Sequence, residues 1–70
     1  MRQIILYTDE DGDWIAGCPS LPGCISQGET KEEAFENITG AVHAYIEALT
    51  LAGDPVPPDS MSYQIAVVAA

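Results

Sequence analysis

The N-terminal half of the chain alternates between short hydrophobic runs and turn-forming residues. Hydrophobic and β-branched residues are concentrated in residues 3–8, 13–18 and 24–27, which predicts three strands. An acidic segment that contains an Asp-Gly pair separates the first two runs and predicts a hairpin between them. Pro19 and Pro22, which have no N–H to donate to a sheet, end the second strand.

The second half begins with a hydrophobic stripe that has start and stop signals at its ends. Eight hydrophobic residues of the segment 34–49 follow the 3.6-residue period of an α-helix. Thr30 and Glu33 match a capping box, which satisfies two backbone N–H groups at a helix start. Gly53, followed by three prolines, is typical of a helix end. We therefore predict a helix over Lys31–Ala52.

The element order that follows is βββαβ, because residues 62–68 again have the composition of a strand. A strand that returns after a helix usually joins the same sheet, so we predict an α+β fold with one long helix on one face of a single sheet. Residues 1–70 suffice for one small domain. Gly40 weakens the predicted helix at its middle, which suggests close packing there.

The charge of the chain restricts its partners. Two Lys/Arg against eleven Asp/Glu give a net charge of −9, while 47% of the residues are hydrophobic. The hydrophobic content predicts a packed core and argues against a disordered acidic tail. The charge argues against direct binding of DNA, RNA or an anionic membrane, because two cations cannot neutralise a run of phosphates. A basic protein is the partner that such a charge favours, and the alternative is that the acidity only keeps the protein in solution.

Nothing in the sequence resembles a targeting signal. The hydrophobic run at the N-terminus is too short for a signal peptide, and no stretch reaches the ~20 residues of a membrane span. Two cysteines are too few for the disulfide framework of a small secreted protein. We expect a cytoplasmic protein with both thiols reduced.

Two motifs carry a family resemblance. The sequence PSLPGC occupies residues 19–24 and GETKEEA occupies residues 28–34, and a Pro-Val-Pro segment follows at residues 55–57. In this combination, over nearly the whole chain, the sequence resembles the HicB-type antitoxin family. The resemblance implies a partial RNase H-like sheet with a single helix. It also implies an oligomer that binds and silences a small basic HicA-type toxin, a ribonuclease that cleaves mRNA.

The motif residues themselves are best explained by architecture. Pro22 and Gly23 favour a tight turn, and Thr30 caps the helix that follows. The sequence also differs from many family members, which continue into a DNA-binding module. Here the chain stops at Ala70, after the last predicted strand, so we predict that it does not bind DNA on its own.

The four acids within residues 9–13 do not match a metal site. A calcium-binding loop that starts at Asp9 needs Gly and Glu where this chain has Trp14 and Ser20. A nuclease of the two-metal type needs carboxylates on its strands, and residues 3–8 and 63–68 contain none. A solvated hairpin explains these acids better, and we predict neither a metal site nor catalysis.

The remaining candidate ligands are better explained by packing and exposure. Cys18 and Cys24 flank a five-residue turn and are expected to be small core residues. His43 falls among polar positions of the helix, without a neighbouring nucleophile or carboxylate. We therefore predict no catalytic residue and no cofactor.

Trp14 is the candidate anchor for a protein partner. Neighbouring residues of a strand point to opposite faces, so Trp14 and Ile15 must separate. If Ile15 faces the helix, Trp14 lies on the uncovered face, where an aromatic side chain favours an oligomer contact or a partner contact. We predict partner binding by Trp14 together with Asp9, Asp11 and Asp13.

The function most consistent with these features is that of an antitoxin that masks a basic HicA-like ribonuclease. A binding module that has kept the fold but has no toxin is the alternative, and a degenerate metal-dependent nuclease is a third hypothesis. A neighbouring reading frame for a short basic protein separates the first two hypotheses. We also predict a homodimer or a larger oligomer, because one helix leaves one face of the sheet uncovered in a very small domain.

Overall fold

Three antiparallel strands and one long helix make up the part of the chain that the computed structural model describes, residues 2–59. The strands are β1 (Ile5–Thr8), β2 (Trp14–Gly17) and β3 (Ile25–Gly28), and the helix is α1 (Lys31–Ala52). The sheet order is β1-β2-β3, and α1 lies on one face, mainly over β3 and β2. The predicted α+β class, with its long helix on one face of the sheet, is confirmed.

Each strand is slightly shorter than predicted or shifted by one residue. The backbone N–H of Gln3 donates to the carboxylate of Asp59 at 3.1 Å, outside the sheet, and β1 begins only at Ile5. Asp13 belongs to the turn before β2, because its carbonyl accepts from the N–H of Asp9 at 2.9 Å. Strand β3 includes Gly28, whose Cα pairs with that of Trp14.

The predicted hairpin between β1 and β2 is confirmed, with a turn that its own side chains stabilise. The Asp9 carboxylate accepts hydrogen bonds from the backbone N–H groups of Asp11 at 2.9 Å and Asp13 at 3.0 Å. Gly12 has a φ of 85°, a left-handed conformation that favours glycine. Asp9 thus organises the turn, as Asx residues commonly do.

The helix begins and ends at the predicted residues. The Thr30 hydroxyl accepts a hydrogen bond from the Glu33 N–H at 3.1 Å, as an N-cap does. The reciprocal bond of the capping box differs from the prediction, because the Glu33 carboxylate accepts at 3.5 Å from the N–H of Glu29, the residue before the cap. At the other end Gly53 adopts a φ of 76°, and the N–H of Asp54 donates to a carbonyl five residues earlier at 2.9 Å.

The core lies between α1 and the sheet and includes the turn that follows β2. Leu21 and Ile38 are fully buried, and Ser20 beside them accepts a hydrogen bond from the Arg2 guanidinium at 2.9 Å. The Tyr45 hydroxyl donates to the carbonyl of Pro22 at 2.9 Å, which ties the turn to the helix. The segment 19–24 therefore closes one end of the core, in agreement with its predicted architectural role.

Close packing occurs at a different glycine from the one predicted. A Cβ at Gly40 would meet nothing within 4 Å, so the prediction of close packing there is wrong. A Cβ at Gly28 would lie 2.6 Å from the backbone N of Ala34 and 2.9 Å from two atoms of Glu33. Strand β3 thus approaches the helix backbone where its last residue lacks a side chain.

The predicted fourth strand, residues 62–68, lies outside the described residues. The RNase H-like relationship and the extent of one domain over residues 1–70 stay predictions.

Candidate protein-binding surface

The register of the sheet assigns each strand residue to one of two faces. Ala16 is fully buried under the helix, and its cross-strand partner Leu6 packs against the same core. Trp14 lies two residues before Ala16 and therefore points to the same face. It packs partly buried against the core, with the Lys31 ammonium 6.0 Å from the centre of its ring. The prediction that Trp14 lies on the uncovered face is wrong.

The opposite face, which we call the open sheet face, presents hydrophobic side chains away from the helix. Its hydrophobic residues are Ile5, Tyr7, Ile15 and Ile25, which alternate with helix-facing residues along the three strands. Tyr7 is 51% exposed and Ile25 is 65% exposed. An apolar surface of this kind, left to solvent, is typical of a binding site.

This face has a hollow on its central strand, at the end away from the turn 9–13. Gly17 pairs with Ile5 on one side and Ile25 on the other, and a Cβ at Gly17 would meet nothing within 4 Å. A cavity of about 330 Å³ lies over it, and its lining includes Tyr7 and Pro22. The glycine therefore opens a depression between exposed hydrophobic side chains.

Most of the negative charge gathers at one end of the molecule, which we call the acidic end. Because Thr8 pairs with Trp14 and Trp14 with Gly28, the turn 9–13 and the start of the helix lie at the same end of the sheet. The acidic end holds seven of the eleven carboxylates of the chain: Asp9, Glu10, Asp11, Asp13, Glu29, Glu32 and Glu33.

Part of the acidic end forms a polar depression beside the sheet. Asp13, Glu29 and Glu33 line it together with Gln27, and its volume is about 290 Å³. Among residues 2–59 no three His, Cys, Asp or Glu side chains are placed to hold a metal ion. Carboxylates that are spread in this way suit separate contacts with Lys or Arg side chains of another protein.

The chain's basic residues lie on the helix side of the molecule. It has only two Lys/Arg and one His. Arg2 and His43 line a groove between the start of β1 and the helix. Lys31 lines a second groove, and Phe35 belongs to the lining of both. The open sheet face thus borders carboxylates, while the helix side carries Arg2 and also Lys31, which lies beside Glu32 and Glu36.

The two cysteines are core residues, as predicted. Cys18 and Cys24 are both buried and free, and the N–H of Cys18 donates to the carbonyl of Cys24 at 3.0 Å. Burial, and to a smaller extent the neighbouring Cys18 thiol, raise the pKa of Cys24. A buried thiol with a raised pKa is a poor nucleophile, which suits a structural role.

The residues that sequence reasoning missed are Ile15 and Ile25, together with Glu29. Alternation along a strand identifies residues that share a face, but it does not say which face the helix covers. One signal was present in the sequence. Trp14 shares its face with the small residues Ala16 and Cys18, and small residues let a helix pack closely on a sheet.

These features define a small acidic α+β protein whose exposed surface suits binding to another protein. Comparison with protein families agrees with this class. The family model described as the HicB-like antitoxin of bacterial toxin–antitoxin systems matches residues 3–68. The chain therefore belongs to the HicB-like antitoxin family, which indicates an antitoxin role with a toxin as partner and suggests a function without catalysis.

Related proteins occur in archaea and bacteria. A UPF0150 protein of Thermoplasma acidophilum is 46% identical over 57 residues, which cover 81% of this chain and 83% of the relative. A UPF0150 protein of Synechocystis is 47% identical over 58 residues, covering 83% of this chain and 73% of the relative. A second Synechocystis UPF0150 protein is 31% identical over 65 residues, 93% of this chain and 86% of the relative. No solved structure matches the chain.

Hydropathy adds one further observation. Within residues 2–59, the helix is not apolar enough along its length to cross a lipid bilayer.

Proposed function

We propose that the chain is the antitoxin of a type II toxin–antitoxin pair and that its partner is a small basic HicA-like ribonuclease that cleaves mRNA. The family supports the antitoxin role in general. The observation that supports a basic toxin is the acidic end, where seven of the eleven carboxylates lie together on a chain of net charge −9. Because mRNA is the proposed target of the toxin, we place the toxin–antitoxin complex in the cytoplasm.

The proposed mechanism is occlusion. A ribonuclease that binds mRNA needs a basic surface to hold the phosphates. An acidic protein competes for that surface, and its field speeds the encounter before hydrophobic contacts hold the complex. In this proposal no bond is made or broken by the antitoxin.

The predicted partner contacts remain part of the proposal, and we propose a different role for each. Asp11 and Asp13 are exposed in the turn, where they are available to cations of the toxin. Asp9 acts through the turn, because its carboxylate accepts from the N–H groups of both. Trp14 is half-buried on the helix-facing side of the sheet, so in this proposal it contacts the toxin only at the acidic end, beside the turn 9–13.

Co-expression tests the proposed function. The tagged chain is expressed with each short basic HicA-like protein encoded in its genome of origin, and the purified complexes are assayed for mRNA cleavage. We expect one protein to co-purify and to cleave mRNA only after the antitoxin has been removed. If none co-purifies, the antitoxin proposal is wrong, and a binding module without a toxin becomes the better description.

We also propose that the chain self-associates, as a homodimer or a larger oligomer. Large hydrophobic side chains are also exposed outside the strands on the described part of this small protein, among them Phe35 and Val56. Burial of apolar surface contributes ~25 cal/mol per Å², while repulsion between two chains of charge −9 opposes association. Association should therefore strengthen as salt rises from ~0.01 to ~0.15 M. Sedimentation equilibrium that shows a monomer at micromolar concentration in both salts would contradict this.

A further inference from the structure

Among residues 2–59, two of the hydrophobic surfaces that a protein partner can reach differ in charge. The groove on the helix side is lined by Ile4, Phe35 and Val42 and bordered by Arg2 and His43. An adjoining groove, which shares Phe35, is lined by Lys31 together with Glu32 and Glu36. A basic protein that docks in the first groove brings its charges toward Arg2, and no carboxylate is among the described residues that line this groove. The helix side is therefore the less favourable surface for a basic partner.

The open sheet face has the opposite character. Asp13 and Glu29 lie beside Gln27 at the acidic end of this face, and Gln27 pairs directly with Ile15 in the sheet. Next to this polar edge lies the row Tyr7–Ile15–Gln27, and the row Ile5–Gly17–Ile25 lies two residues further along the strands. A hydrophobic centre with an acidic edge has the anatomy of a protein interface, and it matches a basic partner in charge.

The hollow at Gly17 makes this face more specific than a flat apolar patch. It is bounded by exposed side chains, among them Tyr7 and Ile25, and it is open to solvent. An apolar side chain of a partner fits such a depression, whose described lining contains no carboxylate. Side chains that fill pockets of this kind contribute most to binding.

We infer that the open sheet face is the surface on which the basic toxin docks, with one toxin side chain inserted in the hollow at Gly17. This inference rests on the proposed function and extends it from the whole molecule to one face. A second copy of the chain is the less favoured occupant, because it carries the same acidic edge and the same charge of −9.

The test uses two variants that change the face in different ways. Gly17→Val fills the hollow; its Cβ meets nothing within 4 Å, and a β-branched residue suits a strand, so folding should be unaffected. Ile25→Arg places a cation on an exposed position of the same face. Leu51→Arg is the matched control, because Leu51 is 81% exposed on α1.

The probe is the basic HicA-like protein that co-purifies with the unmodified chain, and calorimetry or surface plasmon resonance measures its Kd. We expect Kd to rise at least about 10-fold for Gly17→Val and about 30-fold for Ile25→Arg, with less than about 3-fold change for Leu51→Arg. Circular dichroism and sedimentation equilibrium are run on each variant to follow folding and oligomeric state.

Each outcome decides the question. Weaker toxin binding by a folded Gly17→Val chain of unchanged oligomeric state supports the inference. Unchanged toxin binding by both variants overturns it, and so does a change of oligomeric state, because the face then pairs two copies of the chain. If the unmodified chain binds none of the basic proteins, the proposed function fails, and the inference falls with it.

Discussion

Gly28→Ala is the substitution for which the structure makes the sharpest prediction of stability. The added methyl group would lie 2.6 Å from the backbone N of Ala34 and 2.9 Å from the backbone carbon of Glu33. Both atoms belong to the first turn of α1, so relief requires movement of the helix start and its cap. A flexible side chain cannot absorb the clash, since backbone atoms cause it.

The magnitude follows from two opposing effects. Overpacking of this kind costs about 1–3 kcal/mol, and we take the upper end because the contacts are with backbone. Replacement of glycine by alanine lowers the conformational entropy of the unfolded chain, and this effect stabilises the folded state by about 0.4–1 kcal/mol. The expected net loss at Gly28 is therefore about 2 kcal/mol. For a chain of 70 residues, whose total stability is roughly 4–10 kcal/mol, this loss is easily measured.

Gly40→Ala is the matched control. Gly40 is exposed in the interior of α1, and a Cβ there would meet nothing within 4 Å. Alanine in place of glycine in a helix gains about 0.8–1 kcal/mol, so this variant should be more stable than the unmodified chain. The same substitution thus has opposite effects on stability at the two positions, and the free energies of unfolding of the two variants should differ by about 3 kcal/mol.

Urea unfolding followed by circular dichroism and by Trp14 fluorescence measures both variants. All samples are compared at one protein concentration, because self-association contributes to apparent stability. If Gly28→Ala is as stable as the unmodified chain, β3 does not approach the helix backbone as closely as the structure shows. If Gly40→Ala is destabilising, the conclusion that a side chain at Gly40 has free space is refuted.

Three further predictions concern the cap, the thiols and nucleic acid. Thr30→Ala removes the acceptor of the Glu33 N–H and should lower the free energy of unfolding by about 1 kcal/mol in urea titrations, whereas Thr30→Ser should retain it. In the native chain Cys18 and Cys24 should react with Ellman's reagent at least about tenfold more slowly than in urea; equal rates would contradict their burial. Because burial raises the pKa of Cys24, its labelling rate should still increase with pH where that of a free cysteine has levelled off. In gel-shift assays at physiological salt the isolated chain should not retard promoter DNA, and a sequence-specific shift would refute the argument from charge.

The helix and the strands could be predicted because their signals are local. Thr30 at one end and Gly53 at the other specify the helix through hydrogen bonds and backbone conformation within a few residues, and both ends were predicted correctly. Strand positions followed from composition and turns. Their ends shifted because longer-range contacts decided them, such as the bond between Gln3 and Asp59.

The faces of the sheet could not be predicted in the same way. Trp14 and Ile15 are both large and hydrophobic, so hydrophobicity alone does not say which of them the helix covers. The choice depends on how closely the helix approaches, and Ala16 and Gly28, which lie on the side that Trp14 shares, allow a close approach there. The hollow at Gly17 depends on the same choice, so it too became visible only with the structure.

The position of the acidic end also gives the molecule a direction. With seven of eleven carboxylates at one end of the sheet, the charge distribution has a large dipole moment in addition to its net charge of −9. A basic protein within a Debye length, about 8 Å at physiological salt, experiences a torque that turns it toward this end before contact. A chain with the same net charge but with these carboxylates moved to the opposite end would attract the same protein as strongly and present the wrong surface to it.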